Sequence, residues 1–249
     1  MKSVKETMME RRSIRRYERE PVTQEQMDFI FEAIRNTPTS YNGQQFSVID
    51  IDDRELKLKL YELTGQKQIK TCSRFLAFCA DFHKITLMSG VKDVAMPPFT
   101  STADGLIVGT VDAALAMMSA VTAAGALGLG TCCIGYARTA SPAEISSLLR
   151  LPQGVYLVCG LAIGVPREMP DLKPKQPREA MIHHNRYSDD LPLVNALEKY
   201  DAEVTAYNAV RAGSKTTNDW ATHIISYYVE AMNYNMLDAL RAQGFDPRK

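Results

Sequence analysis

Six consecutive residues near the start of the chain, Arg11 to Arg16, combine the donors that bind an isolated phosphate. The run reads Arg-Arg-Ser-Ile-Arg-Arg and follows a short predicted helix that Ser3 caps and that ends near Met9. Guanidinium groups donate in pairs to phosphate oxygens, and a serine hydroxyl adds a further donor. The run therefore predicts an anion site, with a solvated basic helix end as the alternative.

Two further segments carry groups suited to the same kind of ligand. Lys173 and Lys175 alternate within a proline-rich segment at residues 166–177, so in an extended chain both amines reach one anion. The turn-forming loop at residues 36–43 presents small donors and acceptors at Pro38 to Asn42, which suit the hydroxyls of a sugar or sugar alcohol. Solvated lysines and an ordinary turn are the alternatives.

The familiar signatures of hydrolases and nucleotide-binding loops are missing from the sequence. It contains no GxGxxG after a strand, no GxxxxGK[ST], no GxSxG and no HExxH. The adjacent His183 and His184 lack the spacing of a helical zinc pair, and the cysteines form no CxxC motif. Hydrolysis by a triad or a metal is therefore not indicated, and we expect no metal site.

Charge and cysteine usage indicate a cytoplasmic protein without a nucleic-acid or membrane partner. The 29 Lys and Arg residues balance 29 Asp and Glu residues, so no net charge attracts nucleic acid or an anionic membrane. The first residues lack the apolar core of a signal peptide. The five cysteines lie mostly in apolar runs, as reduced core residues do, and adjacent Cys132 and Cys133 point to opposite faces of a strand rather than forming a redox pair.

Length and hydrophobic periodicity favour one α/β domain, in which helices wrap a central sheet and the C-terminal extension is rich in helix. A capping box at Thr23 to Gln26 begins a helix, Gly65 closes the next one, and residues 84–100 are expected to be irregular. The predicted helices are 24–35, 54–63, 142–150, 194–210 and 220–242, and the predicted strands are 46–51, 75–80, 131–134 and 156–163. Ser141 is expected to cap the third of these helices, and a polar loop at 211–218 separates the last two.

The stretch from Asp104 to Gly135 organises the rest of the chain. Its first two dozen residues are apolar or small, with Asp112 as the one internal charge, which predicts a helix buried in the core or at a subunit interface rather than in a membrane. Gly128 and Gly130 then end the helix before a short buried strand. A helix, a glycine turn, a strand and a further glycine together suit a flat ligand.

Six motifs in this order resemble the nitroreductase superfamily, over almost the whole chain from about residue 4 to the last helix. Within it they resemble the group of NADPH-dependent flavin reductases and oxygen-insensitive major nitroreductases. The motifs are RRSIRRY, PTSYNGQQF, LTGQ, FCADF, GLGTCCIG and PDLKPKQP.

The resemblance implies a nitroreductase-like α+β fold: a mixed sheet wrapped by helices, a long central helix at the interface of a homodimer, and a helical extension at about residues 194–249 of a single FMN-binding domain spanning 1–249. It also implies the cofactor contacts. Arg11, Arg12, Ser13 and Arg15, with Lys173 and Lys175, would hold the FMN phosphate; Pro38, Thr39, Ser40, Tyr41 and Asn42 would line the ribityl chain and ring; Gln66 would hydrogen-bond the ring; and Cys133, Ile134, Gly135 and Tyr136 would lie against it.

Three positions depart from the pattern of the group. Arg11 stands where histidine is common, Lys175 where arginine is common, and Tyr136 where glycine is common beside the flavin. The first two keep the positive charge, although lysine lacks the bidentate fork of arginine. Tyr136 is expected to narrow the substrate pocket or to stack on the ring.

The implied activity is a ping-pong transfer of hydride from NAD(P)H through FMN to a nitroaromatic, a quinone or free flavin. No catalytic side chain is needed, because the flavin N5 carries the hydride. Arg211 and Lys215 match the basic loop that recognises the NADPH phosphate, and NADH is the alternative donor. The rival functions are a flavin-destroying or dehalogenating enzyme of the same superfamily, a non-catalytic flavoprotein that stores FMN or senses redox state, and a nucleic-acid-binding protein.

Overall fold

The computed structural model describes residues 1–211 and 215–248, which form two compact units. The first unit contains residues 1–169 together with the chain from residue 235 onward, and the second is Pro170–Tyr234. The last residues of the chain therefore return to the first unit, where the Phe245 side chain is fully buried and its ring packs edge-on against Tyr156 at 4.8 Å between centroids.

A four-stranded sheet is the centre of the first unit. Its strands are β1 (Phe46–Ile51), β2 (Arg74–Asp81), β3 (Gly130–Ile134) and β4 (Val155–Gly164). They pair antiparallel in the order β1-β2-β4-β3. A parallel bridge between Ser13 and Thr131 adds the chain of the arginine run to the β3 edge.

Helices of the first unit cover both faces of this sheet. In chain order the helices of the described residues are α1 (Val4–Met9), α2 (Gln24–Arg35), α3 (Arg54–Thr64), α4 (Lys67–Thr71), α5 (His83–Lys92), α6 (Ala103–Ala126), α7 (Pro142–Leu148), α8 (Arg178–Met181), α9 (Asp190–Val210), α10 (Trp220–Ala231) and α11 (Met236–Ala242). The second unit holds α8, α9 and α10, and the other helices belong to the first unit.

The side chains of β2 divide the core of the first unit into two layers. Leu76 and Phe78 pack with the buried faces of α2 and α6, whereas Phe75 and Cys79 pack on the other side with α3, α4 and α7. This is the two-residue alternation of a strand. Because both faces are buried, β2 and β4 read as almost unbroken apolar runs.

The long helix α6 is buried on one side only. Asp112, Ala113 and Ala116 have no exposed surface, while Ile107 and Leu115 on the opposite side are exposed. By length and composition α6 is also the one helix of the described residues that is apolar enough to cross a membrane. Its buried side packs against α2 and β2 inside the first unit.

The structure confirms most predicted elements and corrects three. The helix at 24–35 and the strand at 46–51 have the predicted bounds. The prediction that residues 84–100 are irregular is wrong where α5 lies. The apolar side chains of α5 are largely exposed, so its sequence lacks the helical periodicity of a buried face. The predicted helix 220–242 is two helices, because the helical conformation is interrupted at Asn233–Asn235. Ser141 does not cap α7 with its side chain, and that helix ends at Leu148.

Candidate functional site

The arginine run lies extended along the β3 edge of the sheet. The Ile14 amide donates to the Thr131 carbonyl at 2.9 Å, and the Glu18 amide donates to the Val165 carbonyl at 2.9 Å. Ile14 is buried, whereas Arg11 and Arg15 are exposed and Ser13 is half-buried. The strand alternation thus uses Ile14 as the anchor and leaves the polar side chains around it for a ligand.

Two glycines make room for this anchoring. A Cβ on Gly130 would lie 2.8 Å from Ile14 Cγ2, and a Cβ on Gly164 would lie 2.8 Å from Tyr17 Cδ1. The two glycines are paired across β3 and β4. The side chains of Ile14 and Tyr17 therefore approach the strand backbone closely only because glycine stands at both positions. This close approach sets the distance between the arginine run and the sheet.

Glu168 and Tyr17 hold the backbone of the run from the other side. Glu168 Oε1 accepts the amides of Arg15 at 2.7 Å and Arg16 at 3.2 Å. The Tyr17 hydroxyl donates to the Ile14 carbonyl at 2.6 Å, and burial raises the pKa of Tyr17 far above its usual range, so it stays a neutral donor. Sequence reasoning missed Glu168, because a lone glutamate in a proline-rich segment carries no local signal.

A small cavity beside the run has the size and donors for an anion. Its volume is about 90 Å³, and Lys2, Thr7, Glu10, Arg11 and Arg12 line it together with the backbone that enters β3. The Thr7 hydroxyl is buried without a hydrogen-bond partner among the described residues. Lys2 and Glu10 pair at 2.8 Å, and Arg11 and Arg12 bring two further cationic side chains to the lining. A volume of several water molecules suits a phosphate group but not a flavin ring.

The loop at residues 38–42 follows α2 and forms a short 3-10 turn at Ser40–Asn42. Pro38, Tyr41 and Asn42 are exposed, whereas Thr39 and Ser40 are half-buried. The Ser40 amide donates to Asp112 Oδ1 on α6 at 3.1 Å. The predicted sugar-alcohol loop is therefore attached to the central helix and presents its exposed side to solvent.

Gln66 stands at the N-terminal cap of α4, directly after Gly65, which takes the left-handed conformation at φ 67°. Its Oε1 accepts from Gln68 Nε2 at 2.9 Å, and the Gln68 side chain also hydrogen-bonds Cys132 on β3. The structure thus connects Gln66 to β3 through Gln68, a residue that sequence reasoning missed because it lies outside the recognised motif.

The far end of β3 carries the other predicted cofactor residues. Cys133 faces out of the strand while Cys132 is buried, as the alternation predicts. Gly135 begins a 3-10 turn that extends to Arg138, and Arg138 Nη1 donates to the carbonyls of Gly135 and Val158, both at 3.3 Å. Tyr136 within this turn is at the margin of exposure, at 37%. Arg138 therefore fixes the turn on which Tyr136 is presented.

The cysteines are protonated thiols at neutral pH. Burial raises the pKa of Cys72 and of Cys79 to about 12, and desolvation raises that of Cys133 to about 11 although the residue as a whole is exposed. Reactive cysteines need a lowered pKa. The four buried thiols are thus part of the packing, and the exposed Cys133 lacks the lowered pKa of a nucleophile.

These thiol pKa values predict a loss of stability in alkali. An unfolded cysteine ionises near 9.0 while folded Cys79 holds its proton to about 12, so the unfolded state binds fewer protons in between and stability falls as pH rises. Each such thiol contributes up to about 1.4 kcal/mol per pH unit. The free energy of unfolding can be measured by urea titration at a series of pH values from 8 upward. Above pH 9 it should fall less steeply with pH for Cys79→Ala than for the unaltered protein, and equally steeply for Ser89→Ala. Equal slopes would contradict the buried-thiol origin.

The predicted cations of the second unit fall into two sets. Lys173 and Arg211 line a cavity of about 350 Å³ whose other walls include Tyr200, Tyr207 and Trp220. Lys175 and Lys215 are exposed and do not line it. Of the loop at 211–218, residues 212–214 lie outside the described residues. The second unit therefore offers a partly aromatic, basic cavity, and the part of Lys173 and Lys175 in the phosphate site stays a prediction.

No metal centre occurs within residues 1–211 and 215–248, where no group of three or more His, Cys, Asp or Glu side chains is placed to hold an ion. His183 Nδ1 instead lies 2.8 Å from the Ser188 hydroxyl and its ring packs on Tyr187 at 4.2 Å between centroids. His183 is therefore part of the local packing of the second unit, whereas His184 is exposed.

Comparison with known proteins matches two family models, described as "Nitroreductase family" over residues 8–165 and "Nitroreductase family, C-terminal domain" over residues 173–248. The chain is 39% identical over 251 residues to a protein named FMN reductase [NAD(P)H] from Bacillus subtilis, covering 100% of both chains. It is 35% identical over 239 residues to an oxygen-insensitive NADPH nitroreductase of Salmonella typhimurium, covering 95% of both. A solved structure described as a hypothetical oxidoreductase from Bacillus subtilis superposes with a TM-score of 0.95 at 39% identity, covering 100% of both chains.

Proposed function

Because this chain belongs to the nitroreductase family, we propose that it is an FMN-dependent oxidoreductase that moves hydride from NAD(P)H to a nitroaromatic, a quinone or free flavin. The relatives named FMN reductase and NADPH nitroreductase support the use of flavin and NAD(P)H. We further propose a ping-pong order, in which the oxidised nicotinamide leaves before the acceptor enters the same site. The cell compartment we propose is the cytoplasm.

The arrangement along β3 is the observation that carries this proposal. The arginine run is bonded to Thr131 near the start of the strand, and the strand ends at Ile134, directly before the Gly135 turn. The four residue steps from Thr131 to Gly135 span about 13 Å of extended chain. This separation suits a ligand that has a phosphate at one end and a flat ring at the other.

In the proposed complex the chain's residues bind and orient the cofactor. Arg12, Ser13 and Arg15 bind the phosphate with Arg11, Lys173 and Lys175; the loop from Pro38 to Asn42 lines the ribityl chain and ring; Gln66 hydrogen-bonds the ring; and the segment Cys133 to Tyr136 lies against it. FMN, when bound, supplies the hydride chemistry, for which no acidic or basic side chain is required. The raised pKa values of the nearby thiols keep Cys132 and Cys133 from competing as reductants.

For the nicotinamide donor we propose NADPH in preference to NADH. Arg211 lines the basic cavity of the second unit, and its guanidinium is suited to bidentate binding of a phosphate. Lys215 follows in the same loop as the second candidate. The preference for NADPH is measured as kcat/KM with NADPH divided by kcat/KM with NADH. This assignment requires that ratio to be lower in Arg211→Ala than in the unaltered protein.

We propose a homodimer that forms through the exposed side of α6 and leaves one FMN-binding domain over residues 1–249 in each subunit. Four apolar side chains follow helical spacing there: Ile107, Val111, Leu115 and Met118 are 58%, 44%, 42% and 40% exposed. A continuous apolar stripe of this kind is typical of an interface with another chain. No nucleic acid or membrane partner is part of the proposal.

A charge in this stripe should weaken the dimer. We expect Leu115→Lys to raise the dimer dissociation constant by about tenfold, because a buried lysine would lie unpaired at the centre of the interface. Sedimentation velocity over a concentration series measures the effect. Leu58→Lys is the matched control, since Leu58 on α3 is exposed to the same degree, at 43%. Equal dissociation constants for the two variants would place the interface elsewhere.

An absorbance spectrum before and after anaerobic addition of NADPH tests the proposed function. A flavin band that bleaches, followed by steady turnover with a quinone or nitro acceptor and parallel double-reciprocal lines, is the expected result. Bleaching without turnover would indicate the storage or sensing protein instead. Absence of a flavin band after incubation with FMN would overturn the proposal.

A further inference from the structure

Asp112 is a fully buried carboxylate in the middle of α6, and it forms no ion pair among the described residues. Both of its oxygens instead accept backbone amides of one loop. The Ser40 amide donates to Oδ1 at 3.1 Å, and the Gln45 amide donates to Oδ2 at 3.1 Å. A single side chain thus holds the two ends of the six-residue segment Ser40–Gln45.

The loop between these two amides is strained. Tyr41, Asn42 and Gln44 have φ values of 57°, 54° and 51°, which make up three of the six non-glycine residues with positive φ in the described part of the chain. L-residues avoid this region, and such conformations persist only where the surroundings enforce them. Gly43 lies among them but has φ −75°, so the glycine does not take up the strain.

Gly43 has a different role, which ties the loop to Gln45. A Cβ at Gly43 would lie 2.1 Å from Gln45 Nε2, so a larger residue there would displace the end of that side chain. Gln45 Oε1 is buried without a hydrogen-bond partner among the described residues. A second bond between the Thr37 and Ser119 hydroxyls, at 2.8 Å, attaches the start of the loop to α6. Hydrogen bonds from α6 at both ends therefore add to the bonds within the loop, such as the Gly43 amide to the Ser40 carbonyl at 2.8 Å, in holding its conformation.

We propose that Asp112 is the positioning residue of the cofactor loop, holding Ser40–Gln45 in the strained conformation that binds the ribityl chain and ring. This inference rests on the proposed function, since it takes residues 38–42 as part of an FMN site. Asp112 touches no ligand in this scheme. It acts through the two amides, and the ordering of the loop before FMN arrives lowers the entropy lost on binding.

The variant Asp112→Asn tests the proposal while preserving shape. Its Nδ2 would face an amide donor, so one of the two loop amides loses its acceptor. We expect the FMN dissociation constant, measured by quenching of flavin fluorescence, to rise about tenfold. Hydrogen exchange at the Ser40 and Gln45 amides should accelerate in the protein with and without FMN, and exchange in α2 and β4 should not change.

Two further variants separate positioning from general destabilisation. Asp28→Asn makes the same chemical change at an exposed site on α2 and should alter neither measurement. Gln44→Gly in the Asp112→Asn background removes one strained side chain, so it should recover part of the lost FMN affinity. A carboxylate with only a stabilising role in the core would not be rescued by a glycine in the loop.

Each outcome decides the proposal. Unchanged hydrogen exchange at Ser40 and Gln45 in Asp112→Asn would contradict the proposal that Asp112 holds the loop through these two amides. Faster exchange with unchanged FMN affinity would contradict the proposal that this loop conformation contributes to FMN binding. If the unaltered protein binds no FMN, the proposed function fails together with the link to flavin, while exchange still reports whether Asp112 holds the loop. If Asp112→Asn does not fold, exchange in the unaltered protein is decisive: Ser40 and Gln45 amides as fast as an unstructured chain would contradict the clamp.

Discussion

Replacing Arg15 with alanine is expected to weaken FMN binding about a hundredfold, because two charge-assisted hydrogen bonds to the phosphate would be lost. The backbone of Arg15 is held by Glu168 and its side chain is exposed, so truncation removes the donor without disturbing the core. The FMN content of the purified protein and a titration of the protein without flavin both measure the effect.

Arg19→Ala is the matched control for this prediction. Arg19 is also exposed, but it stands between Glu18 and Glu20, three residues after the arginine run and beyond the residues bonded to β3 and β4. Its removal changes the net charge equally and should leave FMN affinity unaltered. Equal FMN retention in the two variants would contradict the phosphate assignment of the arginine run.

The second large effect is expected at Gly130. A valine there would drive a Cβ to 2.8 Å from Ile14 Cγ2 and 2.9 Å from Ile14 Cβ, and no rotation of the isoleucine side chain moves its Cβ away. We expect the free energy of unfolding to fall by about 3 kcal/mol. The displaced arginine run should also lose at least about tenfold in FMN affinity, since tight phosphate binding needs fixed donors.

Urea unfolding and FMN titration of Gly130→Val test both parts of this expectation. Gly90→Ala on α5 is the control, because a Cβ at Gly90 meets no atom within 4 Å. That variant should be as stable as the unaltered protein or slightly more so, since alanine favours a helix over glycine. Full FMN affinity in Gly130→Val would show that FMN binding does not depend on the distance between the arginine run and the sheet.

The elements with strong periodicity were predictable because their residues obey local rules. The capping box at Thr23 begins α2, and the left-handed Gly65 ends α3, as the sequence indicates. The α5 helix escaped prediction because Ile85, Leu87 and Val91 are exposed in the single chain, so the periodicity of a buried face is absent. The break between α10 and α11 also escaped, because apolar residues on both sides of residues 233–235 were taken as one periodic pattern although Asn-Tyr-Asn interrupts it.

Some residues of the candidate site could likewise be proposed from the sequence, whereas others became apparent only in the structure. The phosphate and ring residues could be proposed from type and order, since Arg11 to Arg16 and the Cys133 to Tyr136 segment are each contiguous, and their roles stay predictions. Glu168, Gln68 and the amide clamp of Asp112 could not, because each acts on backbone or side chains that are distant in sequence or lie outside any motif. A buried carboxylate in an apolar helix marks a position of interest, but its partners are chosen by the fold.

By itself the sequence determined the α+β class, the long central helix, the family and the residue types offered to a phosphate and a flat ring, because capping, periodicity and motif order are local properties. Only the tertiary structure decided that the arginine run joins the β3 edge through glycines at 130 and 164, and that Asp112 holds a strained loop seventy residues away in sequence. The physical reason is that close packing and the pairing of buried polar groups depend on which surfaces meet, and those surfaces are brought together only when the whole chain folds.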